Sequence, residues 1–422
     1  MLYIRLYRLI SYILYPLWLL LLKKRVRSGK EDPLRYKEKL AKTLIKRPIG
    51  QLIWFHAVSV GEINTIIPLI KFYNKKFPKI NFLITTTTLT SCEIFKKNKL
   101  PNAIHQYLPI DISFIAKRFL QHWNPNLCIF TESEIWPNLL IEAKQFAPIL
   151  LINARLSDKS FLNWKRFKSF ITNLLKIYTQ IFPSTHLDVD KFSFFYKKNI
   201  KYLGNLKNAA PPMPYNNKLL KQLKKSTAER KIVLFASTHR GEEEMIVHAH
   251  NELKIYYENL LTIIVPRHID RAAEIVKMAD RYKLNIALHT ESHHIIAPDT
   301  ELYIANTMGE LGVFYRLSDI AFVGGSLIKR GGHNILEPAK LGLAILSGAH
   351  TFNFTETVED FTNGKALIVV NDQKELFHEI KKLLDDKEYL AKMKNNALNV
   401  SRSQDHIIDL YVDAITANLA NY

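Results

Sequence analysis

Two doubly wound α/β domains are the architecture that this 422-residue sequence predicts. Three observations lead there. The chain is too long for one ordinary core and long enough for two domains of roughly 200 residues. Short apolar runs alternate with amphipathic stretches, break at a Pro- and Asn-rich segment, and then resume. Finally, the polar clusters fall almost without exception just after an apolar run.

In the first half the strand candidates are Leu52–His56, 82–86, 127–130, 149–152 and 200–203, with helical patterns over 63–77 and 135–145. Strands that alternate with helices in this way form a parallel sheet covered on both faces. The segment 205–217 (NLKNAAPPMPYNN) reads as an interdomain linker. Beyond it, strand candidates at 232–236, 260–265, 285–288, 302–305, Ile320–Val323 and 344–346 alternate with helices such as 242–256 and 271–282. The polar clusters lie at 56–62, 85–88, 131–138, 153–157, 237–244, 266–268 and 308–310. Open α/β sheets bind ligands at the carboxyl ends of their strands, so two sheets facing a central cleft would gather these clusters.

Ile320–Ala339 is the most informative stretch. Its apolar strand breaks at Gly324-Gly325, and a second pair, Gly331-Gly332, precedes His333 and a helix start at Asn334. Glycines allow close backbone approach, and free N–H groups at a helix start favour an anion. Glu337 is placed to accept hydrogen bonds from a ribose diol. Together these features predict a nucleotide site.

Other residues admit two readings. Glu62 follows Gly61 at a strand-to-helix turn, as a dipole-compatible acid or as a general base. Glu132 and Glu134 follow a strand beside Trp136, as a site or with one of them as a helix cap. Arg267 ends a buried-looking strand, where a guanidinium can grip a phosphate or form a surface ion pair. Lys207 could neutralise developing negative charge or be a solvated linker lysine. Asp188-Val-Asp190 reads as a helix cap before a metal site. His293-His294 lacks zinc-ligand partners at usable spacing, and no Walker A loop occurs.

Charge concentrates at the N-terminus. Of the net +20, residues 1–50 carry an excess of ten, from 13 Lys/Arg against three acids. That predicts a localised anionic partner. No stacking-aromatic or groove-reading motif points to nucleic acid, although a membrane-attached polyanion binder remains the non-enzymatic alternative. Residues 9–22 (LISYILYPLWLLLL) form an uncharged run that spans roughly 21 Å as a helix, short of the ~30 Å hydrocarbon core. With Pro16 in its middle and basic flanks, it reads as a tilted anchor or an interfacial helix, with a buried core helix as the third reading. Either membrane reading leaves the body on the cytoplasmic face. Cys92 and Cys128 offer no disulfide framework.

Taken in order, His56-Ala-Val-Ser-Val-Gly-Glu62, Glu132-Ser-Glu-Ile-Trp-Pro-Asn138, Asn153-Ala-Arg-Leu-Ser157, Gly204-Asn-Leu-Lys207, Ser237-Thr-His239, Val265-Pro-Arg-His268, Met308-Gly-Glu310, Gly324-Gly-Ser326 and Arg330-Gly-Gly-His-Asn-Ile-Leu-Glu337 resemble the 3-deoxy-D-manno-oct-2-ulosonic acid (Kdo) transferases of lipopolysaccharide assembly. The resemblance covers nearly the whole chain. It implies a GT-B fold: an anchor helix over 1–22, an acceptor-binding Rossmann-like domain over 23–207, and a CMP-sugar-binding one over 208–422. It also implies inverting transfer of Kdo from CMP-Kdo to a tetraacyl, bisphosphorylated lipid A precursor at the inner membrane, without a metal. Glu62 resembles the family's base, and Glu132 and Lys207 its transition-state stabilisers. Pro266, Arg267, Met308, Gly309, Glu310, Asn334, Ile335, Leu336 and Glu337 match its CMP-binding segments. Asn205 and Ile335 depart from residues that relatives carry, Ser and Pro. A GT-B transferase of another activated sugar is the nearer alternative.

Overall fold

The computed structural model describes residues 2–42, 45–292 and 295–420; the pair His293-His294 lies outside them. The chain divides into two compact units, one of Met1–Ala210 with Asp405–Tyr422, the other of Pro211–Gln404.

In the first unit the strands are β1 (Leu52–His56), β2 (Asn81–Thr86), β3 (Ala103–Tyr107), β4 (Leu127–Thr131), β5 (Ile149–Ala154) and β6 (Gln180–Pro183). They order β3-β2-β1-β4-β5-β6, every pair parallel. In the second unit β7 (Lys231–Thr238), β8 (Leu260–Pro266), β9 (Ile286–Leu288), β10 (Leu302–Ile304), β11 (Ile320–Val323), β12 (Ala344–Gly348) and β13 (Ile368–Val370) order β13-β12-β11-β7-β8-β10-β9, again all parallel. Helices on both faces bury the central strands, which is why they read as unbroken apolar runs. All five residues of β1 are buried.

Three strands escape the sequence reading. β3 carries His105 and Gln106, both buried; Gln106 earns its place by accepting a hydrogen bond from Trp123 Nε1 at 3.0 Å. β6 ends in a proline, and β13 has only three residues. Conversely, the strand expected at 200–203 does not form. Ile200 makes a single bridge to Ile181, while Lys201 and Tyr202 face solvent. The helix expected over 63–77 runs Val60–Lys76 because Ser59 caps it, accepting from Glu62 N at 3.2 Å while Glu62 Oε1 accepts from Ser59 N at 3.3 Å. That expected over 135–145 shortens to Pro137–Ala143.

The boundary falls at Ala210/Pro211, and the second unit does not extend to the C-terminus as an undivided 208–422 domain would. The final helix, Ile407–Ala420, returns to the first unit, where Ile407, Tyr411, Val412 and Ile415 share a core with Ile63, Ile66 and Ile70. Its apolar residues recur one turn apart, so one face buries. Tyr411 Oη donates to Gly204 O at 3.2 Å. Gly204 sits at φ +93, and a Cβ there would lie 2.7 Å from Ile407 Cδ1, so the position requires glycine.

The single N-terminal helix expected over 1–22 is two, Leu2–Ile13 and Tyr15–Arg27, with Pro16 in the first turn of the second, where its missing N–H is tolerated. Among the described residues no single helix is long and apolar enough to cross a membrane; this pair, bent by 56°, passes by length and composition only when taken together. The first helix is tied to the sheet's helices. Arg8 bonds Ser113 and the buried Glu142, Tyr7 Oη donates to Asp111 Oδ2 at 2.8 Å, and Asn138 Nδ2 donates to Ser11 Oγ at 3.0 Å. Leu6, Leu9, Tyr12, Ile13, Leu17 and Leu20 remain exposed.

Candidate functional site

The first sheet reverses its strand order between β1 and β4, which opens a crevice at their carboxyl ends. Glu62 enters from the β1 side and is buried. Its Oε2 accepts from Val58 N at 2.9 Å and from Thr131 Oγ1 at 2.6 Å. Thr131 is the last residue of β4 and the neighbour of Glu132, so the two expected carboxylates are mounted on one hydrogen-bonded frame. The capping role and the site position of Glu62 coexist: among the described residues Oε1 holds only the 3.3 Å amide contact and retains a lone pair for a ligand.

Glu132 has φ +50. A left-handed backbone costs a non-glycine residue on the order of 1 kcal/mol and persists where the surroundings impose it, often at functional sites. Here it aims the carboxylate at Lys207, whose Nζ lies 2.7 Å from Glu132 Oε1. Two asparagines hold the lysine loop. Asn153, itself at φ +48 in β5, accepts from Leu206 N at 2.9 Å, and Asn205 accepts from Lys207 N at 3.0 Å. Lys207 is therefore not a loose linker residue. Glu134 accepts from Trp136 Nε1 at 2.7 Å and approaches His56 Nε2 to 3.4 Å without aligning for a hydrogen bond.

In the second sheet the order reverses between β7 and β11. In the glycine loop after β11 the backbone amides are taken by a carboxylate of this chain. Gly325 N, Ser326 N and Leu327 N donate to the carboxylate of Glu242 at 2.7, 3.0 and 3.0 Å, and His239 N donates at 2.9 Å. Burial raises the Glu242 pKa, and the four amides oppose that rise. The helix start also shifts: Asn334 precedes the helix Leu336–Ala339 and accepts from Leu336 N at 3.1 Å.

What gathers at this edge is a ring of side chains from β7, β8 and β11. His239 Nε2 meets His333 Nε2 at 2.9 Å with the rings coplanar within 2°, and the His268 ring stands 5.8 Å from that of His239. Burial lowers the His239 pKa to about 4, aided by His333, Arg330, His268 and Arg271. His333 is lowered too, by burial and then by Arg267 and His268. Neutral imidazoles here can donate and accept without a charge. Arg267 is exposed and its guanidinium has no ion-pair partner among the described residues, so the surface ion-pair reading finds no support. Burial raises the Glu337 pKa to about 7, against a hydrogen bond from Asn334 Nδ2 at 3.4 Å and the charge of Arg267. Ile335 and Leu336 are buried and support this turn. After β10, Glu310 bonds Thr307 and meets His289 Nε2 at 3.0 Å; Gly309 adopts φ +86 and Met308 is exposed. Pro266 closes β8.

Sequence reasoning passed over the histidine ring, Thr131, Asn153 and Glu242. Each lies in a flagged strand-end cluster, which was the available signal; the pairing itself spans distant segments. Asp188 sits in the first turn of a helix capped by Thr185 and is held by Leu156 N, Ser184 Oγ and Thr185 Oγ1, which donate to it at 2.8–2.9 Å. Among the described residues no group of three His, Cys, Asp or Glu is placed to hold a metal ion.

Residues 32–210 match the family described as 3-deoxy-D-manno-octulosonic-acid transferase (kdotransferase), and residues 288–400 match glycosyl transferases group 1. A 3-deoxy-D-manno-octulosonic acid transferase of Rickettsia bellii (strain RML369-C) is 35% identical over 415 residues, covering 98% of this chain and 99% of its own length. The chain belongs to the 3-deoxy-D-manno-octulosonic acid transferase family. A member from Haemophilus influenzae is 31% identical over 379 residues, 87% of this chain and 88% of that protein. The crystal structure of a glycosyltransferase from Rickettsia africae ESF-5 is 12% identical with a TM-score of 0.60, over 89% of this chain and 100% of that one. That likeness concerns fold alone: two parallel-sheet α/β domains of GT-B type.

Proposed function

We propose that this chain transfers Kdo from CMP-Kdo to a hydroxyl of an acylated, phosphorylated lipid A precursor, with inversion at the anomeric carbon. Family membership over 98% of the chain supports the sugar. The observation that carries the residue roles is the frame joining Glu62, Thr131, Glu132 and Lys207. Glu62 takes the proton of the acceptor hydroxyl as that oxygen attacks the anomeric carbon. The bond to CMP breaks with its electrons on the departing phosphate. Lys207, aimed by Glu132, Asn153 and Asn205, neutralises negative charge developing in the transition state.

In the second unit, Arg267 faces the single phosphate of CMP, a task that a lone guanidinium can perform without a metal. Glu337 and Asn334 receive the ribose, and the Met308–Glu310 turn completes the donor site. The exposed apolar face of the bent helix pair and its basic flank support attachment to the cytoplasmic face of an anionic inner membrane.

Incubating the protein with CMP-Kdo and the lipid A precursor, with and without EDTA, tests this. Product should form in both; absence of product from the wild type sinks the reading, and dependence on metal sinks the role of Arg267. Glu337 gives a separate expectation. Because its pKa is raised to about 7, it contributes less stability as pH climbs from the ordinary glutamate range toward 7, and becomes all acceptor above it. Calorimetric titration with cytidine, which carries no phosphate, should show affinity rising up to about tenfold from pH 6 to pH 8. Glu337→Gln should flatten that rise, and an unchanged profile in the variant assigns the titration elsewhere.

A further inference from the structure

The first unit contains a cavity of about 780 Å³ between the N-terminal helix pair and the carboxyl edge of its sheet. This lies within the roughly 300–1,000 Å³ of ligand pockets and far above a packing gap. Ile10, Leu14 and Trp18 form one wall and Leu108 another, while Val58 and Trp136 line the side toward the crevice. Ile10, Leu14 and Trp18 are themselves 40–46% exposed, so the cavity opens onto the uncovered apolar face of the helices.

The charged lining is unbalanced in a useful way. Its two acids are satisfied internally: Glu31 by Arg25 at 2.7 Å and Lys39 at 2.6 Å, Asp111 by Tyr7 and the amides of Asn138 and Leu139. Lys24 and Lys30 also stand on the lining, exposed and without an ion-pair partner among the described residues. The far wall is one step from the proposed chemistry, since Val58 N donates to Glu62 Oε2 at 2.9 Å and Trp136 Nε1 bonds Glu134.

We propose that this cavity is an acyl-chain slot for the acceptor: a chain of an anionic, acylated glycolipid lies along Ile10, Leu14 and Leu108, its phosphate meets Lys24 and Lys30, and its sugar is thereby delivered to Glu62. The proposal rests on the transferase reading for the identity of the acceptor, but the slot itself rests on shape, apolar lining and unpaired cations. The N-terminal pair then does two things at once, holding the membrane surface and walling the substrate site.

The test uses the full chain in phosphatidylcholine nanodiscs and 12-bromododecyl phosphate, whose bromine quenches a nearby indole. The Trp136 contribution, taken as the difference from Trp136→Phe, should be quenched saturably. Ile10→Asp should abolish that quenching, whereas Leu9→Asp, the same change on an exposed neighbour outside the lining, should preserve it. Equal effects of the two substitutions, or quenching that grows with lipid load without saturating, overturn the slot and indicate bilayer partitioning alone. In the transfer assay, the ratio of kcat/KM for the acylated over the deacylated acceptor should fall at least tenfold in Ile10→Asp and hold in Leu9→Asp; an unchanged ratio in Ile10→Asp also overturns the slot. A wild type without transfer would defeat the transferase reading, while the quenching result would still decide the slot.

Discussion

Glu62→Gln should abolish sugar transfer, lowering kcat by roughly two to four orders of magnitude, with little change in thermal stability. The substitution isolates chemistry from structure. The carboxylate caps its helix, accepting from Ser59 N and Val58 N, and receives the Thr131 hydroxyl. A glutamine keeps the reach and one oxygen for the Val58 and Thr131 bonds, gives up only the long 3.3 Å Ser59 contact, and cannot take up a proton. Glu62→Ala should lose both roles, with an additional cost of about 1 kcal/mol from the cap; the Thr131 hydroxyl retains His56 O as an acceptor at 2.9 Å. The decisive comparison is kinetic rates beside thermal melts for the two variants. Substantial turnover by Glu62→Gln would remove this residue as the base and leave it a structural cap.

Lys207→Gln should lower kcat by about a hundred- to a thousandfold, the range seen when one preorganised electrostatic donor is removed. Its stability cost should be small. The lysine is 41% exposed and its partner Glu132 22% exposed, so the pair contributes at most about 1 kcal/mol in the folded state. A purely structural lysine would show the opposite pattern, a lower melting temperature with kcat intact. Asn153→Ala offers a graded version. It removes the acceptor for Leu206 N, loosening the loop without touching the charge, and should lower kcat less than Lys207→Gln does.

The central strands were legible because burial on both faces writes itself into the chain: β1, β4, β8 and β11 are apolar runs that alternation with helices makes unambiguous. The outer strand β3 was not, because His105 and Gln106 are polar and become core only through partners elsewhere. The segment 200–203 failed in the other direction, apolar at Ile200 and Leu203 yet joined to β6 by a single bridge at Ile181 that does not extend into a ladder. Strand ends also marked the site. Glu62, Glu132, Arg267 and Glu337 all belong to polar segments that follow apolar runs, and the fold places them after strands; Lys207, in the segment read as a linker, carried no such mark and is placed by Asn153 and Asn205.

By itself the sequence determined the two-sheet alternation, the strand-end clusters and the concentration of positive charge near a bent apolar segment. These are local properties, carried by composition and period. Tertiary structure alone decided the partners. It put Glu242 into the amides of the glycine loop, brought Ile407–Ala420 back beneath Gly204, paired His239 with His333, and gave Glu132 the left-handed backbone that points it at Lys207. Each joins segments whose approach depends on how the whole sheet packs, since a polar group's partner is selected by burial and geometry rather than by its neighbours along the chain.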